Sequence, residues 1–378
     1  MKKLVVLGST GSIGESTLAV VRAASGAFSI TAISCSRNTQ SLGNQAREFS
    51  PAAVSISDES AAAAFCAQAG TRVYSGAAGI ARMVEETEAD IVVNGIAGAA
   101  GLLPSFAAIR SGRTLALANK ESLVMAGPLL LDEAARRGVR LIPVDSEHAA
   151  LFSILHDVRA DEVDELIITA SGGAFRDLPL EKLPEVTLED ALRHPTWKMG
   201  PKITVDSASM ANKGLEVIEA HRLFGVSLER IRVLIHPQSW VHAMVRTLDG
   251  TLHAEVSTPD MRIPIQNALT YPAVRTNAVE RLELAGKSLS FERADPDRYR
   301  MLALAYHAAS MTAAQPIVYN AANEVAVSAF MKGSLRFTGI PEAVERVLSH
   351  SWGPSPSTVS EVLAVDEAAR AMTREYIQ

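Results

Sequence analysis

The sequence predicts an α/β fold of two or three domains, in which a doubly wound N-terminal part is followed by a second sheet and a helical C-terminal part. Three observations carry this. Residues 2–7 form a short apolar run cut off by Gly8-Ser-Thr-Gly11-Ser-Ile-Gly14, and residues 15–23 then show helical spacing before a second apolar run at 28–33. This is the opening βαβ unit of a parallel sheet. Further apolar runs at 53–56, 91–93, 114–117 and 141–144 alternate with alanine-rich helical stretches, the pattern of a parallel sheet covered by helices. From residue 295 onward only helical patterning remains, at 299–310, 317–331, 341–349 and 357–376.

Near residue 150 the pattern changes. Residues 165–170, 203–205, 232–235, 242–247 and 251–256 read as strands of a second sheet, with Asp249-Gly250 as a hairpin turn. Residues 175–201 are polar and carry Pro179, Pro184 and Pro195. So long a segment with little apolar pattern is a candidate lid. The Gly-, Ser- and Pro-rich stretch 352–357 is a loop before the last helix. No internal repeat or low-complexity tract interrupts this order.

A chain of 378 residues is too long for one core. It is 48% hydrophobic and 21% charged with a net charge of -6, and no Lys/Arg run interleaves with aromatics. These features argue against a nucleic-acid surface. The apolar part of the N-terminus is too short for a signal segment, and no stretch approaches a membrane-spanning length. A cytoplasmic protein without membrane or nucleic-acid partners is expected. Cys35 and Cys66 have no pairing or metal-ligand spacing, and both are expected as reduced, buried small hydrophobes.

The turn at Gly8, Gly11 and Gly14 follows a strand and opens a helix, so its backbone N–H groups and helix dipole suit a nucleotide phosphate. The spacing is G-x-x-G-x-x-G rather than G-x-G-x-x-G, and a plain structural turn is the alternative. After the second strand the chain reads Cys35-Ser36-Arg37-Asn38, with no acid for a ribose 2′-hydroxyl. Arg37 can instead pair with a 2′-phosphate, which favours NADPH over NADH. A solvated surface charge is the competing account of Arg37.

A second constellation joins metal and phosphate chemistry. Pro143-Val-Asp145-Ser146-Glu147-His148 ends a strand, and Asp206-Ser207-Ala-Ser-Met-Ala-Asn212-Lys213-Gly-Leu-Glu216 opens a helix. Asp145, Glu147 and Glu216 are hard oxygen ligands suited to Mg²⁺ or Mn²⁺, and Ser146, Ser207, Asn212 and Lys213 are donors suited to a phosphate. Asn212 and Lys213 precede Glu216 by one helical turn, so one face presents all three. Helix capping at Asp145-Ser146 and an ordinary surface ion pair at Lys213–Glu216 are the plainer readings. Ser171-Gly172-Gly173 after a strand supplies N–H groups for an anion. Asn119-Lys120-Glu121-Ser122 ends a strand of the first sheet, where a helix cap is the alternative. His194-Pro-Thr-Trp197-Lys-Met199-Gly200 ends the lid segment; Trp197 is either a core anchor or a cover that excludes water.

Taken together, the chain resembles the 1-deoxy-D-xylulose 5-phosphate reductoisomerase family. The resemblance runs through LGSTGSIG, NGIAGAAGL, LANKESLV, PVDSEH, TASGGAF, HPTWKMG, VDSASMANKGLE, HPQS, PDMR and YNAANE, in that order. It implies conversion of 1-deoxy-D-xylulose 5-phosphate to 2-C-methyl-D-erythritol 4-phosphate with NADPH and a divalent metal (Mn²⁺, Mg²⁺ or Co²⁺), in the non-mevalonate isoprenoid pathway. It implies a Rossmann-like NADPH-binding domain at residues 1–137, a central α+β catalytic and dimer-forming domain with the lid at 138–262, a linker at 263–294 and a C-terminal helical domain at 295–378, in a homodimer. By resemblance, Thr10, Gly11, Ser12, Ile13, Ser36, Arg37, Asn38, Asn119, Glu121 and Gly200 touch NADPH. Asp145, Glu147 and Glu216 ligate the metal. Ser171, Ser207, Asn212 and Lys213 hold the substrate, mainly its phosphate, Glu216 also contacts it, and Lys120, Ser146 and His194 meet its reacting end while Trp197 covers it. Lys120, Glu147 and His194 are the candidate catalytic groups.

Three positions depart from the resembled pattern: Ser36 and Ser257 replace a usual Gly, and Ala174 replaces a usual Pro. The implied chemistry fits the inventory, since a metal polarises a ketone and hydride then reduces the aldehyde formed by skeletal rearrangement. Retro-aldol with aldol closure and a direct ketol shift both remain open. Competing readings fare worse. A semialdehyde dehydrogenase needs a nucleophilic Cys in its second domain, and no Cys follows Cys66. A homoserine-dehydrogenase-like enzyme does not need three carboxylates around a metal, and a non-catalytic NADPH-binding protein leaves the acidic motifs idle.

Overall fold

The computed structural model describes residues 1–24, 26–197 and 199–378; Lys198, within the predicted lid run, lies outside the described residues. The chain folds as two compact units, one made of Met1–Ser122, Leu130–Ala149 and Asp260–Glu280, the other of Leu123–Leu129, Ala150–Pro259 and Arg281–Gln378.

Elements of the first part alternate as predicted: β1 (Lys2–Leu7), α1 (Ser12–Ala23), β2 (Phe28–Cys35), α2 (Thr39–Phe49), β3 (Ala53–Ile56), α3 (Glu59–Ala63), β4 (Arg72–Ser75), α4 (Gly76–Glu86), β5 (Ile91–Asn94), α5 (Leu102–Arg110), β6 (Thr114–Leu117), α6 (Lys120–Arg137), β7 (Leu141–Pro143) and α7 (Ser146–Ile154). The sheet order is β4-β3-β2-β1-β5-β6-β7, and every neighbouring pair is parallel. Val5, Val6, Val92 and Val93 are wholly buried, as both faces of a helix-covered parallel sheet require. The order reverses between β1 and β5, and in such sheets ligands bind at the carboxyl ends of the strands beside that switch. Sequence reading did not find β4, an edge strand with only Tyr74 buried.

The following elements are β8 (Val163–Ala170), α8 (Leu188–Ala191), α9 (Pro201–Ser209), α10 (Ala211–Phe224), β9 (Ile231–Ile235), β10 (Val241–Thr247), β11 (Leu252–Val256), α11 (Arg262–Thr270), β12 (Glu292–Arg293), α12 (Arg300–Ser310), α13 (Ala314–Met331), α14 (Gly339–Leu348) and α15 (Val359–Ile377). Of these, α11 belongs to the first unit. A mixed sheet of order β11-β10-β8-β9-β12 packs Leu166, Ile168, Val233 and Val245 against Val217 of α10 and Tyr299 and Leu302 of the C-terminal region. A second apolar cluster joins Val205 of α9 and Leu215 of α10 to Val318, Tyr319 and Ala322 of α13 and to Ile340 and Val344 of α14.

Three expectations are corrected. Residues 203–205 are helical within α9, not a strand. The run Ile-Thr-Val is too short to carry a period, whereas Gly200 caps the helix, Pro201 takes its first position and Val205 and Ala208 face the core. The candidate lid 175–201 is anchored through much of its length. Phe175 and Ala191 are buried, Phe175 meets Phe337 edge-on at 4.9 Å, and Leu180–Glu185 forms a 3-10 turn. Cys66 is exposed in coil after the five-residue α3, while Cys35 is buried. Among the described residues no helix is long and apolar enough to cross a membrane.

Candidate functional site

In the first unit the predicted nucleotide turn closes tightly. Gly8 adopts φ +71°, and the Gly11 N–H donates to the Gly8 carbonyl over 3.0 Å. Only glycine fits at position 14, because a Cβ there would lie 2.4 Å from the Gly8 oxygen. Gly11 starts α1 without a side-chain cap, so Thr10, Gly11, Ser12 and Ile13 present an uncapped helix start of the kind that receives phosphate. Ser36, Arg37 and Asn38 are exposed just after β2. Arg37 Nε donates to Asp58 Oδ2 over 2.7 Å, and Asn38 caps α2 by accepting from the Ser41 N–H.

Asn119 and Glu121 hold the loop after β5. Asn119 Nδ2 donates to the carbonyls of Ile96 (2.7 Å) and Gly98 (2.8 Å) and to Glu121 Oε2 (3.0 Å). Glu121 Oε1 accepts from the Gly98 N–H over 3.0 Å, and Asn119 Oδ1 caps α6 through the Ser122 N–H. The capping reading of this motif therefore holds, and it buttresses the loop beside the β1–β5 switch. Lys120 is 6% exposed and forms an ion pair with Asp145. The Asp145 carbonyl accepts from the Ala149 N–H over 2.8 Å, so this acid stands at the start of α7, where the helix dipole favours it. Ser146 Oγ donates to Glu147 Oε2 over 2.6 Å.

In the second unit β8 ends at Ala170 and the Ser171-Gly172-Gly173 turn follows, with φ +88° and +73° at its glycines. The Gly173 N–H donates to Ser171 Oγ over 3.2 Å. His194 Nε2 lies 3.1 Å from Ser171 Oγ and 3.1 Å from Ser207 Oγ. Its Nδ1 accepts from the backbone N–H groups of Thr196 (3.1 Å) and Trp197 (2.8 Å). Two donors aimed at Nδ1 fix the ring proton on Nε2, where it faces the two hydroxyls. Burial pushes the His194 pKa down to about 4, so the ring is a neutral donor at neutral pH.

Trp197 is half-buried, with its ring centroid 6.3 Å from that of His242. His242 Nε2 lies 3.0 Å from Ser257 Oγ, which donates its own proton to the Thr258 carbonyl over 3.3 Å. Ser257, one of the three departures, thus ties down the ring beside Trp197. Ala174, another departure, packs on the apolar cluster under α9 and α13. Ser207 sits on α9, and Met210 in a left-handed conformation (φ +62°) separates α9 from α10. On α10 the predicted face forms as expected. Glu216, 1% exposed, accepts from the Asn212 amide and the Lys213 ammonium.

Asp58, which holds Arg37, was not visible in the sequence as its partner. It follows β3, and parallel pairing of β2 with β3 sets the ends of the two strands side by side. That pairing was the signal available.

Fold and loops define an α/β oxidoreductase of the doubly wound type. The family model for 1-deoxy-D-xylulose 5-phosphate reductoisomerase matches residues 4–127, and the models for its C-terminal domain regions match 141–224 and 256–372. The chain belongs to the 1-deoxy-D-xylulose 5-phosphate reductoisomerase family. It is 46% identical to the Geotalea uraniireducens enzyme of that name, covering 100% of this chain and 99% of the relative, and 44% identical to that of Pelodictyon phaeoclathratiforme with 100% of both covered. Among solved structures it is similar to a DOX-P reductoisomerase in complex with NADPH, fosmidomycin and magnesium, at 35% identity and a TM-score of 0.92, covering 100% of this chain and 98% of the other. The Zymomonas mobilis enzyme in complex with NADPH aligns at 39% identity and a TM-score of 0.89, covering 100% of this chain and 99% of the other.

Proposed function

We propose that this enzyme converts 1-deoxy-D-xylulose 5-phosphate to 2-C-methyl-D-erythritol 4-phosphate, using NADPH and a divalent metal. The observation that carries this is the end-to-end match to enzymes of that name, supported by a glycine turn that opens α1 and by an acidic motif between β7 and α7. NADPH would be held at Thr10, Gly11, Ser12, Ile13, Ser36, Arg37 and Asn38, with Gly200 contributing backbone and Asn119 and Glu121 acting through the loop they brace. We assign Asp145, Glu147 and Glu216 as metal ligands. The donor set fits a hard cation: all are carboxylates, two stand beside cationic side chains, and Mg²⁺ takes oxygen ligands. When bound, the metal supplies polarisation of the substrate's ketone and hydroxyl oxygens, and the dinucleotide supplies hydride.

The chain's own residues supply the rest. Ser171, Ser207, Asn212 and Lys213 offer hydroxyl, amide and ammonium donors to a phosphate, a grip remote from the reacting carbons. His194, neutral with its proton on Nε2, donates and does not act as a cation. Lys120 beside Asp145 and Ser146 beside Glu147 position the acids and meet the reacting end of the substrate. Trp197 covers the ligand and excludes water. A cytoplasmic homodimer follows from the resemblance and is part of the same reading. The test is loss of NADPH absorbance with 1-deoxy-D-xylulose 5-phosphate, with Mn²⁺ and with a chelator, alongside sedimentation of the protein. Metal-dependent oxidation of NADPH is expected; none with this substrate would overturn the assignment.

A further inference from the structure

We propose that Asn323, on the C-terminal helix α13, is a positioning residue for substrate phosphate, acting through Asp206 on the orientation of Ser207. This rests on the reading that Ser207 contacts the phosphate. Asp206 is 1% exposed and Asn323 is wholly buried. Asn323 Nδ2 donates to Asp206 Oδ1 over 2.9 Å, and Lys202, one turn earlier on α9, pairs with Asp206 Oδ2 at 2.7 Å. A carboxylate this deep is costly unless paired and hydrogen-bonded, and an apolar residue of like volume would hold α9 to the core at least as well. What the carboxylate adds is direction. Adjacent residues on a helix diverge by about 100°. Pinning Asp206 against α13 therefore turns Ser207 to a different face, the one on which His194 Nε2 lies 3.1 Å from its hydroxyl.

The same helix registers α10. Tyr319 stands one turn before Asn323, is wholly buried, and donates to the Met301 carbonyl over 3.0 Å. α10 approaches so closely that a Cβ on Gly214 would lie 2.6 Å from the Tyr319 hydroxyl and 2.6 Å from the Ala305 Cβ. One face of α13 thus supports both helices that carry Ser207, Asn212 and Lys213. Asn320 and Glu324, next to these residues in the Tyr-Asn-Ala-Ala-Asn-Glu motif, turn elsewhere. Glu324 accepts from Asn320 over 3.2 Å and from Arg370 of α15 over 2.7 Å, and Arg370 also holds Asp366 at 2.7 Å. α13 is therefore fixed on its far side by a charged cluster while Tyr319 and Asn323 reach the substrate helices.

The test compares steady-state kinetics of Ser207→Ala, Asn323→Leu, Asp206→Asn and the exchange Asp206→Asn with Asn323→Asp. Asn323→Leu should raise KM for 1-deoxy-D-xylulose 5-phosphate about tenfold, the lower end of the effect seen when the partner orienting a metal ligand is lost. KM for NADPH should stay as in the wild type, and kcat should change less than substrate KM. Combined with Ser207→Ala, the effects should be less than additive. The exchange re-forms the hydrogen bond with donor and acceptor reversed and should recover most of the substrate KM lost in Asp206→Asn. A wild-type KM in Ser207→Ala would remove the phosphate reading itself. A raised KM in Ser207→Ala with an unchanged KM in Asn323→Leu would overturn the positioning role alone. Should Asn323→Leu fail to fold, the exchange decides: one no better than Asp206→Asn, in folding or in KM, ends the proposal.

Discussion

The Arg37 guanidinium, at the end of β2, donates to the Asp58 carboxylate just beyond β3 over 2.7 Å. The Arg37 side chain is 82% exposed, and so open an ion pair contributes little to stability. Asp58 has a second task, since it caps α3 through the Ala61 N–H. That bond, with the Arg37 guanidinium second, holds its carboxyl below the usual carboxylate range. The acid is thus a fixed stop that orients the guanidinium. Arg37→Asp should weaken NADPH and favour NADH, because it sets two carboxylates where a 2′-phosphate would bind. Asp58→Asn keeps the cap and should change KM for NADPH less than Arg37→Ala does. Equal cofactor preference in Arg37→Asp and wild type would show that Arg37 does not read the phosphate.

Much of this was legible because it is local. Strands of the first sheet are buried on both faces, so Val5-Val6 and Val92-Val93 announce themselves as apolar runs. Gly14 is demanded by a carbonyl six residues earlier, and Asn212, Lys213 and Glu216 share a face through helical spacing alone. What the sequence hid depends on distant partners. Residues 203–205 look like a strand until α13 covers Val205. Asp206 pairs locally with Lys202, but its other partner, Asn323, lies 117 residues away, and nothing near Asp206 predicts it. The segment after Phe175 looks loose because its anchors, Phe175 and Ala191, are too widely spaced to form a pattern. Nothing local in the sequence singles out His242, yet its ring stands beside Trp197 and is held by Ser257.

The His194 ring should act as an acid-sensitive latch. Its folded pKa is lowered by burial from 6.5 to about 4, and a proton on Nδ1 would also break its bonds from the Thr196 and Trp197 N–H groups. The unfolded chain therefore binds this proton more readily than the folded one between those values. The latch contributes fully above pH 6.5 and is progressively lost as pH falls toward 4. With Trp240→Phe and Trp352→Phe as background, Trp197 fluorescence should titrate with a midpoint near 4. A midpoint at the ordinary histidine value would show that the ring is not held this way.

Trp197→Ala should reduce turnover more than it reduces thermal stability. Truncating a core Trp costs about 3–5 kcal/mol. Trp197 is only half-buried, and its backbone N–H bond to His194 survives the substitution. Melting and kcat measured on one preparation separate the roles. A large fall in Tm with activity per folded molecule retained would make Trp197 a structural residue and end its role as a cover.

Glu147 and Glu216 should part company when each is replaced by Gln, although both are assigned to the metal. Glu147 is partly exposed near the start of α7, where Ser146 Oγ donates to it and a Gln side-chain oxygen can still accept. Its loss should lower Mn²⁺ affinity with little change in Tm. Glu216 is 1% exposed and stands against Lys213, itself 3% exposed. Glu216→Gln replaces the carboxylate to which the Lys213 ammonium donates, and removing one partner of a buried pair is destabilising. Both variants should therefore bind Mn²⁺ more weakly in a calorimetric titration, but only Glu216→Gln should melt well below the wild type. Adding Lys213→Met to Glu216→Gln removes the buried ammonium as well and should raise Tm without restoring metal binding. Wild-type Mn²⁺ affinity in Glu216→Gln would take this residue out of the ligand set, and an unchanged Tm would show that Lys213 does not depend on it for its charge balance.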